Sequence, residues 1–118
     1  MKKPAAFLVL ATGFLSFSAF AACENPTMMQ SLPDGESASL DEMVSAQAVV
    51  KTYMSDMETY LACLNEDIEA TGDDAAAEFK TLMVTRYNTA VVELETVAAA
   101  FNEQLQAYRA ANPSDAEE

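Results

Sequence analysis

The chain has 118 residues, a formal net charge of −13, two cysteines and neither histidine nor tryptophan. A single small domain fits that length. The acidic balance opposes binding to nucleic acid or anionic lipid, and the lack of histidine removes the commonest general base and the commonest zinc and haem ligand.

Met1-Lys2-Lys3, the apolar run from Ala5 to Phe20 and the small-residue end Ala19-Phe20-Ala21 have the three parts of a secretory signal. The run is too short to be read first as a membrane span. Residues 1–21 are therefore expected to be a signal peptide, which leaves a mature chain of 97 residues with no transmembrane segment. Lys2 and Lys3 leave with it, so Lys51, Lys80, Arg86 and Arg109 stand against nineteen acidic residues, a net charge of −15. The expected address is the periplasm. There, two cysteines read most simply as a Cys23–Cys63 disulfide. The alternative takes Phe20-Ala21-Ala22-Cys23 as a lipobox, with Cys23 acylated as the anchor of a membrane lipoprotein and Cys63 a lone thiol.

Residues 22–38 carry Pro26, Pro33 and Asp34-Gly35 among small polar residues, which predicts an extended arm with a turn near its end. Ser39-Leu40-Asp41-Glu42 is a capping box and marks the start of a helix over about 40–70. Apolar residues at Leu40, Met43, Val50, Met54, Met57, Leu61, Leu64 and Ile68 follow a heptad seam broken only by Gln47. A glycine at 72 suits the end of this helix, and Asp73 or Asp74 suits the cap of the next. The second helix, over about 75–111, repeats the rhythm at Met83, Tyr87, Ala90, Leu94, Val97, Phe101, Gln104 and Tyr108, before an acidic tail over 112–118.

The fold class expected is all-α: a long antiparallel two-helix, coiled-coil-like hairpin over 39–111, with the arm tied back by the disulfide. Facing seam residues such as Leu61 and Met83, Met57 and Tyr87, Met54 and Ala90, Val50 and Leu94, and Met43 and Phe101 have numbers that sum to 144, centred on Gly72. A second stripe on the first helix, Ala46, Val49, Tyr53, Tyr60 and Cys63, is expected to carry the arm with Met28, Met29 and Leu32. From Ser39 to Cys63 the helix climbs about 36 Å, and the sixteen steps back to Cys23 reach roughly 50 Å when extended. The disulfide thus requires the arm to run antiparallel to the first helix. Closing that loop is expected to stabilise by about 4 kcal/mol.

The acidic tip resembles a calcium loop at Asp67, Glu69, Asp73 and Glu78, with Gly72 in the sixth place. Glu69 is long for its place, Thr71 is a poor ligand, and a seam running to the turn implies close rather than splayed helices, so these four are weak metal candidates and no cofactor is expected. Met28-Met29 is the one methionine pair free to hold copper, while Met43, Met54, Met57 and Met83 read as core. No nucleophile stands beside a base and no phosphate loop occurs, so no enzyme is expected.

Leu32-Pro33-Asp34-Gly35, Met43, Gln47, Tyr60-Leu61-x-Cys63-Leu64, Asn88-x-Ala90-Val91 and Phe101-Asn102-x-Gln104-Leu105-x-x-Tyr108 together resemble a group of small exported helical proteins of proteobacteria that carry no established activity. The resemblance covers nearly all of the mature chain. It implies an envelope location and a helical hairpin, and it carries over no functional residue.

Val84, Val91, Ala98 and Leu105 form a further stripe on the second helix without a partner in the chain. It is expected to serve as an interaction stripe, either in a homodimer or against an envelope protein. The function expected is non-enzymatic, through protein contacts in the cell envelope. The alternatives are a chaperone-like client binder, a divalent or copper ion binder, and a lipoprotein anchored at Cys23.

Overall fold

The computed structural model describes residues 23–27 and 31–116. The expected signal peptide and Met28-Met29 lie outside the described residues. Two helices, α1 (Leu40–Thr71) and α2 (Ala77–Ala111), pack against each other, and a short 3-10 turn, Pro113–Ala116, follows. No strand occurs among the described residues. The expected all-α hairpin is what the chain forms.

The capping box sets the start of α1. The Ser39 N–H donates to Glu42 Oε2 at 2.7 Å, and the Glu42 N–H donates back to Ser39 Oγ at 3.3 Å. The Ser39 N–H bond, and secondarily the bond that the Ser39 hydroxyl donates to Glu42 Oε2 at 2.9 Å, hold the Glu42 carboxyl below the usual carboxylate range. Gly72 ends the helix at φ 62°, a left-handed conformation that glycine adopts without a Cβ penalty.

Helix α2 opens differently from expectation. Its N-cap is Ala76, with no side-chain cap, so neither Asp73 nor Asp74 plays that part. They lie in the turn before the helix, where the Asp73 carbonyl accepts a bond from Lys80 Nζ at 3.0 Å. Of the five pairs expected to face each other, Leu61 with Met83 and Met57 with Tyr87 share one core cluster and Met43 with Phe101 shares the other, whereas Met54 with Ala90 and Val50 with Leu94 fall in different clusters.

The seam of α1 is also rotated. Met43, Val50, Met57 and Leu64 are buried as expected, but their companions are Tyr53 and Tyr60 of the second stripe; Met54 and Leu61 are half-buried and Gln47 is exposed. The cause is the arm. Cys23 packs on the cluster near the turn, and Leu32 and Ala38 pack on the cluster of Met43, Val50, Phe101 and Tyr108. The core is therefore three-sided, and its centre on α1 shifts toward the third side. Met57 and Leu64 are its deepest residues, both at 0% exposure.

The arm turns at Asp34. The Asp34 carbonyl accepts from the Ser37 and Ala38 N–H groups at 3.1 and 2.8 Å, and Asp34 Oδ1 accepts from the Glu36 N–H at 3.1 Å. This Asx-type turn delivers Gly35 onto α2, where the Gly35 N–H donates to Gln104 Oε1 at 2.9 Å. A Cβ at Gly35 would overlap the Gln104 carbonyl oxygen and come within 2.9 Å of the Tyr108 nitrogen. Only glycine fits this approach. The tail folds back as well, since the Tyr108 hydroxyl donates to Asp115 Oδ2 at 2.7 Å.

Candidate functional site

Three places bring together residues with chemistry or unusual exposure. The first is the corner where the arm begins. Cys23 and Cys63 are disulfide-bonded, with Cα atoms 5.7 Å apart. Cys63 and Asp67 stand one turn apart on α1, so both side chains project from one face. Asp67 Oδ2 lies 3.2 Å from Cys23 Sγ. A disulfide sulfur has no proton to donate, so this is a carboxylate pressed against sulfur rather than a hydrogen bond. Among the described residues, Cys23, Cys63 and Asp67 are the group whose ligand atoms lie within 4.8 Å of one another, and all three are half-buried.

The calcium-like loop is not assembled. Asp67 and Glu69 both lie within α1, which runs on to Thr71, and residues two apart on a helix do not face each other. Asp73 sits in the turn and Glu78 in the first turn of α2, both exposed. The structure thus separates Asp67 from Glu69, Asp73 and Glu78 and gives it to the disulfide instead.

The second place surrounds Tyr53. Residues 23–27 of the arm and the α1 residues Val49, Thr52, Tyr53, Asp56 and Tyr60 border an open groove of about 970 Å³. On its other side Tyr53 helps to wall a cavity of about 280 Å³ with Leu32, Val92, Glu93, Thr96 and Val97. Tyr53 is 5% exposed, and among the described residues its hydroxyl is buried without a hydrogen-bond partner. Burial, and secondarily the charge of Glu93, pushes its ionisation up, so the phenol stays neutral.

The third place is the outer surface of α2. Val84 is 47% exposed, Val91 and Ala98 are half-buried, and Leu105 packs against the core cluster of Met43, Val50, Phe101 and Tyr108. A heptad row drifts by about 20° per repeat on a straight helix, so this row winds from solvent at Val84 into the core at Leu105. Its C-terminal member already has a partner within the chain.

A different row lies outward over its whole length. Thr81, Thr85, Thr89, Val92, Thr96 and Ala99 are all exposed; Thr81, Thr85, Val92 and Ala99 lie roughly opposite the buried positions at 100° per residue and Thr89 and Thr96 toward one flank, and Val92 and Thr96 also border the cavity shared with Leu32 and Tyr53. Val92 is 60% exposed, the most of the exposed large hydrophobic residues. The Thr81, Thr85 and Thr96 hydroxyls donate to the carbonyls of Ala77, Thr81 and Val92 at 2.9, 2.8 and 2.7 Å. With the hydroxyls so engaged, this row offers methyl groups to solvent. It runs uncharged for about 27 Å between Glu78 and Glu103.

Sequence reasoning missed this row because threonine counts as polar. Its signal is the recurrence of β-branched residues on an exposed face of α2, where charged helix formers are the usual choice. The disulfide corner also had a signal, the i,i+4 spacing of Cys63 and Asp67.

Among the described residues no helix is long and apolar enough to cross a membrane. No known protein family, curated protein or solved structure matches this chain.

Proposed function

We propose that this protein is an exported, non-enzymatic helical protein that works in the cell envelope through protein contacts made by the outward face of α2. The observation that supports this reading is the uncharged band of Thr81, Thr85, Thr89, Val92, Thr96 and Ala99, exposed on a chain of net charge −13. Charged side chains are the ordinary tenants of such a face. A methyl-bearing band flanked by acids excludes charge from its centre, which is the composition of an interface core with a polar rim. Val84 widens the band at its N-terminal end, while Leu105 belongs to the core. The export reading rests on the charged start, apolar run and small-residue end of residues 1–21.

Site-specific photo-crosslinking in cells tests the contact directly. A crosslinking residue at Val92 should trap a defined adduct, whether a second copy of this chain or another envelope protein, and the same residue at Glu58, on a charged face of α1, should trap none. Equal adducts from both positions, or none from either, would end the proposal.

A further inference from the structure

The disulfide corner holds a second set of chemistry beyond cross-linking. We infer that reduction of Cys23–Cys63 converts it into a site for one thiophilic divalent cation, Zn²⁺ by its ligand chemistry, held by the thiolates of Cys23 and Cys63 and the carboxylate of Asp67. The three ligand atoms already lie within 4.8 Å of one another, and Asp67 Oδ2 is 3.2 Å from Cys23 Sγ. Little movement is needed. Two of the ligands project from one helical face at i,i+4, the spacing by which helices present paired metal ligands.

The third ligand comes from the arm. The Cys23 sulfur is bonded to that of Cys63, so it has only a small distance to move from bonding to bridging through a metal. Two sulfurs and one oxygen suit tetrahedral Zn²⁺ with water in the fourth place, and they are a poor set for Ca²⁺ or Mg²⁺, which take oxygen ligands. Half-burial of all three groups shields the charge they would neutralise.

The chemistry balances with a dithiol reductant. One of its thiolates attacks a disulfide sulfur and forms a mixed disulfide, its second thiol resolves that bond, and the reductant leaves as its own disulfide. Two electrons and two protons have then passed to Cys23 and Cys63. Binding Zn²⁺ releases those two protons to solvent. Reoxidation expels the ion, so the corner alternates between a covalent and a metal-mediated clasp on the arm.

The test uses the mature protein, reduced with dithiothreitol and desalted without oxygen. Its readouts are competition for Zn²⁺ against a chromophoric chelator, the charge-transfer band of Co²⁺–thiolate, and the helical signal in circular dichroism. The reduced wild type should bind one ion with the helical signal retained and two protons released, and the oxidised protein should bind none at this corner. Asp67→Asn keeps both cysteines and should weaken Zn²⁺ by at least tenfold, since even outer partners of metal ligands are worth about 10–100-fold. Binding that is equal in oxidised and reduced protein, absent from the reduced protein, or unchanged in Asp67→Asn would overturn the inference. The last result would show that two thiols act alone, including in a chain that had lost its fold.

Discussion

Helix α1 shares its flank with an arm, and α2 carries an exposed row that borders the arm only at Val92 and Thr96. Along α1 the flank residues Tyr53 and Tyr60 are buried and Cys63 is bonded to the arm, whereas along α2 the row from Thr81 to Ala99 stays exposed throughout. Both helices carry back-bonded threonines, Thr52 and Thr59 on α1 and Thr81, Thr85 and Thr96 on α2. On α1 Thr52 and Thr59 line the groove beneath the arm. The difference teaches that a two-helix hairpin has more surface suited to cover than its own seam can use, and that in this chain the arm covers one part and leaves much of the other exposed.

The largest effect should follow from releasing the covered side. Cys63→Ser removes the clasp and should cost about 4 kcal/mol from loop closure, or about 20 °C in melting temperature for a domain of this size. A melting curve close to that of wild type would mean that the arm contributes nothing through its bond. Next comes Gly35→Ala. The new methyl would strike the Gln104 carbonyl, which is backbone and cannot rotate away, so the arm must lift; a loss of about 2 kcal/mol is expected in urea unfolding.

Tyr53→Phe should act in the opposite direction. Removing a buried hydroxyl that has no partner among the described residues should stabilise by about 1 kcal/mol, and destabilisation would reveal a hydrogen bond made to it. The same group sets an alkaline limit. Because the folded value is raised above the ordinary 10.0, the phenol's contribution is complete below that pH and is lost as pH rises through the folded value.

The capping box gives the smallest effect. Ser39→Ala should cost about 1 kcal/mol and should flatten the acid limb of the stability profile in part, because the main-chain N–H at 39, whose bond lowers Glu42 most, stays in place. Glu42 is held below its ordinary 4.5, so its contribution is complete above that pH in wild type and fades as pH falls through the lower folded value. An acid limb of the same slope in both proteins would show that other carboxylates govern it.

Much of this architecture was legible. The S-x-x-E box, the heptads and Gly72 predicted α1 and its end, and the reach of the arm predicted its antiparallel course and its bond. The start of α2 was less legible, because Asp73 or Asp74 was expected to cap it, whereas the turn continues to Ala76, which has no side-chain cap. The rotation of the seam toward Tyr53 and Tyr60 depended on the arm's packing, which periodicity within one helix does not carry. Gln104 stood in an apolar seam without an evident reason until the Gly35 N–H came to meet it. The predicted helix over about 40–70 already runs through Asp67 and Glu69, as α1 does, which is why the acidic tip is a weak metal candidate.

The central claim is that the arm is the third side of the core, clasped by Cys23–Cys63. Intact mass spectrometry of the mature protein from native envelope, with alkylation before and after reduction, tests it most directly. The account predicts a chain beginning at Ala22 that takes up two alkyl groups only after reduction. A chain that is alkylated without reduction, or one that begins at an acylated Cys23, would contradict it.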